Sequence, residues 1–374
     1  MSHRREVSDL SFKLAEYKEP DFTKKMFTDA PNASLVRAPH AKAAPKGFHA
    51  TSIFPEYFKV DGKWHLAQDS RMDAVPVWDG EKIRVVEFRN IKAGDMIVTG
   101  RTEDASEGIY VHDDCWVREE EEEIKNTFAF RQARSRETSF TQDYKELIEL
   151  LKYEKETGGY VVWVLGPACS FDTEARRVMG EIISKGYCQA LLAGNALATH
   201  DLEGGYLGTA LGCDIVDQKQ HFMGHYNHLD TFNAINTYES IPAFIENEGI
   251  RSGIIYNCVK NDVPFVLNGS IRDDGPLPEV LEDNYVGQDT IRSHIRKATV
   301  VIGMATVLHT IAAGNMTPTY RVLSDGTVRP IYFYMVDTSE FAANKLGDRG
   351  SLAAKGIVTN VQDFMRNLSA GLDL

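Results

Sequence analysis

The sequence predicts an α/β fold: a mostly parallel sheet with helices on both faces, preceded by a small β-rich N-terminal domain. From residue 160 onward, short apolar runs alternate with amphipathic segments, as strands and helices do in a parallel sheet. Before residue 112, aromatic and β-branched residues alternate with Gly and Pro breaks, which is typical of strands and turns. We therefore assign residues 1–112 to a β-rich domain, 113–157 to a helical connector and 158–374 to the α/β domain.

The composition excludes several classes of partner. The 374 residues suffice for two or three domains. A net charge of −13 argues against nucleic acid or an anionic membrane, because phosphates are bound by clustered Lys and Arg. The apolar runs fall far short of the roughly 20 residues that span a bilayer, and the first residues lack a signal peptide's apolar core. Five widely spaced cysteines, never in Cys-x-x-Cys, predict a reduced, cytoplasmic protein without structural zinc.

Turn residues organise the N-terminal part. Val60-Asp61-Gly62-Lys63 predicts a hairpin, because Asp-Gly favours the tight turns that join antiparallel strands. Further strands are expected over 74–78 and 83–88, joined through Asp79-Gly80. The five glutamates at 119–123 predict a solvated helix face rather than an interaction tail. Apolar residues at intervals of three and four predict a second helix over 140–156.

The C-terminal part reads as alternating strands and helices. We predict strands over 160–165, 188–193, 263–267, 299–304, 331–336 and 353–358, and helices ending at Ser184 and covering 306–313 and 361–368. A hairpin is expected at 324–327.

A polar loop follows one of these buried strands. The apolar run 263–267 leads into Gly-Ser-Ile-Arg-Asp-Asp-Gly-Pro at 269–276. In open α/β sheets, ligands bind beyond the carboxyl ends of the strands. Arg272 and Asp274 are therefore candidate site residues. The alternative is an ordinary turn held by Asp and Gly.

Two other strand ends carry candidates. Asp337 can bind both hydroxyls of a ribose, or it can cap the following helix. Residues 306–309 open a helix whose free N–H groups can meet a phosphate, or they form a capped helix with a core-facing His309. The chain lacks Gly-x-Gly-x-x-Gly after its first parallel strand, although Gly166-Pro167 can turn the backbone toward a phosphate.

Histidine and cysteine supply further candidates. Histidines at 221, 225 and 228 raise the question of a metal, but their Gly, Tyr and Asn neighbours indicate a loop without a carboxylate at ligand spacing. We predict that His225 and His228 contact substrate and that no metal is bound. Cys258 is either a reactive group or an inert core cysteine ahead of a buried strand.

Long motifs at four places in the chain carry a family resemblance. They are Leu-Leu-Ala-Gly-Asn-Ala-Leu-Ala at 191–198 with His200-Asp201, Cys-Val-Lys-Asn at 258–261 with the strand 263–267, the loop 269–278, and Asp-Arg-Gly-Ser at 348–351 with Gly-Ile-Val-Thr at 356–359. Together they resemble the archaeal-type ornithine cyclodeaminase family, also described as a LOR/SDH-type domain. That family includes the C-terminal part of cyanobacterial arginine dihydrolase/ornithine cyclodeaminase enzymes. The resemblance spans about 45–112 and 158–374.

The resemblance implies a tightly held NAD in a Rossmann-like domain. The motifs matching the cofactor shell contribute Asn195, Ala196, Asp274, Thr306, Val307, Leu308, His309, Asp337, Ile357 and Val358. The resemblance also gives Asp274 and Cys258 a place beside the nicotinamide, and we take them as candidate catalytic residues. We expect Arg272, His225 and His228 to face the substrate.

The implied activity is a redox-neutral cyclodeamination of an ornithine-like diamino acid to a proline-like product and ammonia. NAD⁺ takes a hydride from Cα, the distal amine attacks the imine, ammonia leaves and the hydride returns. A general base is needed near Cα, and Asp274 is the first candidate before Cys258. We expect a small-molecule amino-acid substrate and a homo-oligomer. The alternatives are an NAD-dependent amino-acid or opine dehydrogenase, and a non-catalytic regulator that binds NAD or an amino acid.

The chain departs from the family pattern in one loop. It has Gly224-His-Tyr-Asn-His228 where the family pattern is Gly-His-Arg-His-His. Losing that arginine removes a bidentate carboxylate partner that Tyr226 cannot replace. Residues 1–44 and 317–330 also look particular to this chain. The substrate is therefore less well defined by sequence than the fold and cofactor.

Overall fold

The computed structural model describes residues 12–117, 140–271, 275–345 and 354–374. The predicted glutamate-rich helix face at 119–123 lies outside them, as do Arg272 and Asp274. The helices are α1 (Lys25–Thr28), α2 (Thr141–Thr157), α3 (Thr173–Ser184), α4 (Asn195–Tyr206), α5 (Asn227–Thr237), α6 (Ile241–Asn247), α7 (Ile254–Lys260), α8 (Asn284–Ile295), α9 (Val307–Met316), α10 (Glu340–Asn344) and α11 (Val361–Leu372).

The strands divide into an N-terminal and a C-terminal group. The N-terminal strands are β1 (Ser34–Arg37), β2 (Glu56–Val60), β3 (Lys63–Leu66), β4 (Val75–Trp78), β5 (Ile83–Val86), β6 (Met96–Thr99) and β7 (Ile109–Val111). The later strands are β8 (Val161–Leu165), β9 (Ala190–Gly194), β10 (Thr209–Ala210), β11 (Cys213–Asp214), β12 (Phe265–Asn268), β13 (Val280–Leu281), β14 (Val300–Met304), β15 (Tyr320–Val322), β16 (Val328–Pro330), β17 (Tyr332–Asp337) and β18 (Ala354–Val358).

The N-terminal strands form antiparallel sheets, as predicted. One sheet has the order β1-β6-β4-β5 and the other β3-β2-β7. The turn between β2 and β3 has positive φ at both Asp61 (51°) and Gly62 (77°). Two central residues with positive φ are what a two-residue hairpin turn of the favoured twist requires. The Asp-Gly pair therefore forms the hairpin that the sequence predicts.

The C-terminal strands form a parallel sheet with the order β13-β12-β9-β8-β14-β17-β18. From β12 to β18 this is the 3-2-1-4-5-6 order of dinucleotide-binding folds. Side chains alternate between two cores: Val161, Trp163 and Leu165 pack on one face, and Val162 and Val164 on the other. This explains why β8 is apolar throughout, as strands covered on both faces are.

Helices cover both faces of this sheet. Apolar residues of α2, α3, α7 and α11 pack on the face that Trp163 points toward. Those of α8, α9 and α10 pack on the other face. In the part of the chain that the structure describes, no helix is both long and apolar enough to cross a bilayer.

Charged and polar contacts join the N-terminal strands to the parallel-sheet region. Arg292 on α8 is buried and forms an ion pair with Glu87. Its Nη2 also donates to the carbonyl oxygens of Asp69 and Val85 at 2.7 and 3.0 Å. The Tyr320 hydroxyl on β15 donates to the Ala67 carbonyl at 2.7 Å. These bonds hold the N-terminal strands against α8 and β15.

Candidate functional site

The site begins at the point where the strand order reverses. From β8 the chain moves to β9 on one side, and it later returns to β14 on the other. Just beyond these strands, a Cβ on Gly166 would lie 1.9 Å from the Ala305 carbonyl oxygen. Only glycine permits so close a backbone approach. The backbones of Gly166 and Ala305 therefore contact each other at the position where such sheets bind ligands.

Asn195 opens α4 immediately beyond β9. It is 3% exposed, and its Nδ2 donates to the Gly275 carbonyl at 3.1 Å. Its Oδ1 is buried and has no hydrogen-bond partner among the described residues. A buried acceptor without a donor costs about 1–3 kcal/mol, so a bound ligand that supplies an N–H or O–H gains from this position. Ala196 beside it is half-buried.

The start of α9 lies against the end of β9. A Cβ on Gly194 would come within 2.8 Å of His309 Cε1, so the imidazole packs directly on the glycine backbone. His309 Nδ1 lies 3.2 Å from Thr306 Oγ1. Burial lowers the pKa of His309, which favours a neutral ring at neutral pH. Val307 and Leu308 are exposed, and no side chain caps this helix start.

Asp337 and β18 form the far end of this edge. Asp337 ends β17, is half-buried, and pairs in register with Val358 of β18. Its Oδ1 accepts the N–H of Ser339 at 2.9 Å. Ser339, not Asp337, caps α10, so the helix-cap alternative for Asp337 does not apply. Ile357 is fully buried, whereas Val358 is only partly so.

The other predicted site residues are not all brought to this edge. Cys258 is fully enclosed in the core, near Cys188 at the start of β9, and therefore toward the amino ends of the strands. Burial raises the pKa of its thiol well above the ordinary value, which disfavours the reactive thiolate. This placement favours the inert alternative. His225 is exposed, whereas His228 is half-buried with an enclosed Nδ1 that lacks a partner within the described ranges.

Sequence reasoning missed a buried polar network beside His228. On α4, His200 Nδ1 lies 3.2 Å from Glu203 Oε2. Glu203 also accepts the Thr209 hydroxyl at 2.7 Å and the N–H groups of Leu211 and Gly212 at 3.1 and 3.0 Å. Burial alone would raise the pKa of Glu203, but these hydrogen bonds outweigh it and hold the pKa below its ordinary value. The available signal was a His and a Glu three residues apart, a spacing that places both on one face of a helix, but α4 itself was not predicted.

No metal cluster is evident in the described ranges, where groups of three or more His, Cys, Asp and Glu do not converge. His200 and His228 lie close, with ring centroids 6.3 Å apart, but Glu203 is already saturated by four donors. The arrangement is thus a buried hydrogen-bonded network.

Taken together, the strand order and the residues at the carboxyl edge define a Rossmann-type α/β protein. Residues 145–368 match the family model described as "Arginine dihydrolase ArgZ-like, C-terminal, Rossmann fold". Ornithine cyclodeaminase of Methanothermobacter thermautotrophicus is 36% identical over 96% of this chain and 80% of its own length. Ornithine cyclodeaminase of Methanococcus maripaludis is 35% identical over 89% of this chain and 78% of its own length. The chain therefore belongs to the ornithine cyclodeaminase family, as the motifs predicted.

Solved structures agree with this assignment. A conserved LOR/SDH protein from Methanococcus maripaludis S2 superposes with a TM-score of 0.81 at 34% identity, covering 92% of this chain and 98% of that one. AgrE, solved as a ternary complex with ornithine and NAD⁺, has a TM-score of 0.57 at 30% identity. The match covers 92% of this chain and 46% of the AgrE chain. The relative of that name from Nostoc is a bifunctional arginine dihydrolase/ornithine cyclodeaminase, 33% identical over 92% of this chain and 47% of its length. The predicted Rossmann-like fold is thus confirmed.

Proposed function

We propose that this protein catalyses the NAD-dependent, redox-neutral cyclodeamination of a diamino acid, with ornithine as the first substrate to test. The products are then a proline-like cyclic amino acid and ammonia. The archaeal relatives are named for this activity, and AgrE has been crystallised with ornithine and NAD⁺. The observation that carries the proposal in this chain is the buried Oδ1 of Asn195, which has no partner among the described residues and lies beside the strand-order reversal.

The residues at this edge fit a dinucleotide. The starts of α4 and α9, which no side chain of the described residues caps, offer N–H groups to the anionic oxygens of a diphosphate. Asp337 is the proposed partner of a ribose, with Ile357 and Val358 beside it. When bound, NAD⁺ supplies a reversible acceptor for the Cα hydride, which leaves the overall reaction redox neutral.

The chain's own groups have to bind the amino acid and move protons. Both amines of the substrate enter as ammonium groups, and each must be neutral when it reacts. Asp274 is our proposed proton acceptor near Cα, and Arg272 our proposed partner for the substrate carboxylate. His228 is better buried than His225 and is the stronger candidate for substrate contact. Cys258 is not required in this scheme because it is enclosed in the core.

One experiment separates the activity from its alternatives. The purified protein is denatured and the supernatant is examined by mass spectrometry for NAD. The native protein is then incubated with ornithine deuterated at Cα. We expect ammonia and proline that retains the deuterium, without net NADH. Stoichiometric NADH release would indicate an amino-acid dehydrogenase. Bound NAD with no turnover of any diamino acid would indicate a regulator.

A further inference from the structure

The network around His200 orients an imidazole as a proton acceptor. His200 is 6% exposed and Glu203 is fully buried. The N–H groups of Leu211 and Gly212 can only donate, and the low pKa of Glu203 makes its carboxylate an acceptor at neutral pH. His200 Nδ1 must therefore carry the hydrogen it shares with Glu203. When the ring is neutral, its Nε2 then has a free lone pair.

The Thr209 hydroxyl supports the same assignment. It accepts Asn227 Nδ2 at 2.9 Å, so its own hydrogen is available to Glu203 at 2.7 Å. The Glu203 carboxylate is then the acceptor in all four of its hydrogen bonds. This fixes the tautomer of His200, in the way that a carboxylate orients a catalytic imidazole.

The His200 ring lies beside a segment that follows the carboxyl end of β8. In the described part of the chain, only Glu203 hydrogen-bonds the His200 ring. Phe171, in the segment after β8, lies 5.7 Å from it between ring centroids, and His228 on α5 lies 6.3 Å away. The same helix carries Asn195 and Thr199, which contact Gly275 at the end of the Arg-Asp-Asp loop. In the described part of the chain, Glu203 and His228 are the titratable groups beside the ring.

We propose that His200 is a catalytic residue whose Nε2 takes a proton from an ammonium group of the diamino-acid substrate, with Glu203 as its positioning residue. This rests on the proposed function. One N–H bond of the ammonium breaks and an Nε2–H bond forms, giving a neutral amine and an imidazolium, with no change in oxidation state. The reaction needs two neutral amines, and Asp274 accounts for only one of them.

The chain contains a matched control. In the N-terminal strands, His49 Nε2 lies 3.0 Å from Glu56 Oε2, and these residues are 2% and 0% exposed. That pair is as buried as His200–Glu203 but lies among the antiparallel strands. His49→Gln therefore measures the cost of disrupting a buried His–Glu pair without touching the carboxyl edge.

The test compares His200→Gln, Glu203→Gln and His49→Gln, each with NAD content, single-turnover cofactor reduction and ammonia release against pH. For His200→Gln we expect normal NAD content and a rate loss of about 10²–10⁴-fold, with loss of the acidic limb of the pH profile, where protonation of the base lowers the rate. If His200→Gln slows cofactor reduction, His200 takes its proton from the α-ammonium group. If only ammonia release is slowed, His200 takes its proton from the distal ammonium group. Imidazole should partly restore His200→Ala. Glu203→Gln should shift the pH profile.

A second readout does not depend on turnover. In ¹⁵N-histidine NMR spectra of the holoenzyme, the His200 signal should report a protonated Nδ1 and an unprotonated Nε2, and ornithine should shift it. A wild-type rate from His200→Gln, or an Nε2–H tautomer, would overturn the assignment while leaving the cyclodeaminase activity intact. An inactive wild type with every diamino acid would instead reject the proposed function, and the role of His200 with it.

Discussion

Asp337 and Asp325 make the same local turn in two different places. In each, one carboxylate oxygen accepts the N–H of the residue two positions later, at 2.9 Å. Asp337 ends β17 at the carboxyl edge, whereas Asp325 lies in the β15–β16 hairpin. The turn is therefore common to both, and a ribose contact is proposed only for Asp337.

Asp337→Ala should consequently purify with little or no NAD, because charge-assisted hydrogen bonds of about 1.5–3 kcal/mol each are lost. Asp325→Ala removes the same turn bond and should retain the wild-type NAD content. The measurement is the NAD-to-protein ratio after denaturation. Full occupancy in Asp337→Ala would contradict the proposed cofactor geometry.

Asp274→Asn tests the proposed base near Cα. The amide keeps the size of the side chain but cannot accept a proton, so single-turnover cofactor reduction should fall by about 10²–10⁴-fold while the protein stays folded and retains at least part of its NAD. Asp273→Asn is the neighbouring control. Equal losses in both would attribute the effect to the shape of the loop rather than to one carboxylate.

Cys258→Ser tests the interpretation of the buried thiol. A hydroxyl enclosed without a partner costs about 1–3 kcal/mol, so the free energy of unfolding should fall by that order. NAD content and turnover at a temperature well below unfolding should stay near wild type, because Cys258 lies in the core. A large loss of turnover in a fully folded protein would show that Cys258 takes part in the reaction.

Among the elements, α2 is attached to the β15–β16 hairpin by a buried ion pair. Glu154 on α2 is fully buried, and its Oε1 lies 2.6 Å from Arg329 Nη2. Gly158 follows the helix with a φ of 76°, close to the end at 156 that the sequence predicted. A Cβ on Gly159 would lie 1.8 Å from Glu154 Oε2, so the second glycine makes room for the carboxylate.

Glu154→Ala should destabilise the protein by about 3–5 kcal/mol, because Arg329 is left buried without its partner. Glu146, on the same helix, pairs with Lys355 in a half-exposed bridge at 2.5 Å. Glu146→Ala should cost only about 0–1 kcal/mol. Denaturant unfolding measures both; equal costs would show that burial does not decide the strength of these pairs.

The elements that the sequence predicted are those whose signals are local. Hairpins at Asp61-Gly62 and 324–327, and the parallel strands β8, β9, β12, β14, β17 and β18, follow from turn residues and apolar runs. The short strands β10, β11 and β13 were not predicted. The helices α5 and α6 were not predicted, although Ser240 and Pro242 form a helix-start signal. The buried network around Glu203 was missed because α4 was not predicted, and because two of its hydrogen bonds require the β10–β11 turn to fold back onto α4.

At the scale of the whole molecule, the prediction that no metal is bound remains to be tested. EDTA treatment followed by buffer exchange should leave ornithine turnover unchanged, and elemental analysis should find no stoichiometric zinc. The physical reason is that Glu203 is occupied by four donors and the loop carrying His225 offers no carboxylate at ligand spacing. About one zinc per chain would contradict the proton-transfer interpretation of the histidines.

The close approach of Gly166 to Ala305 also bears on how this protein folds. The proposed cofactor contacts at Asn195, Thr306 and Asp337 come from strands far apart in sequence, and they meet only once β8 and β14 are side by side. Such non-local pairings form late and slowly, because the chain loops between them must close first. Capture of NAD should therefore be among the last events of refolding, and its time course would report completion of the sheet rather than early collapse.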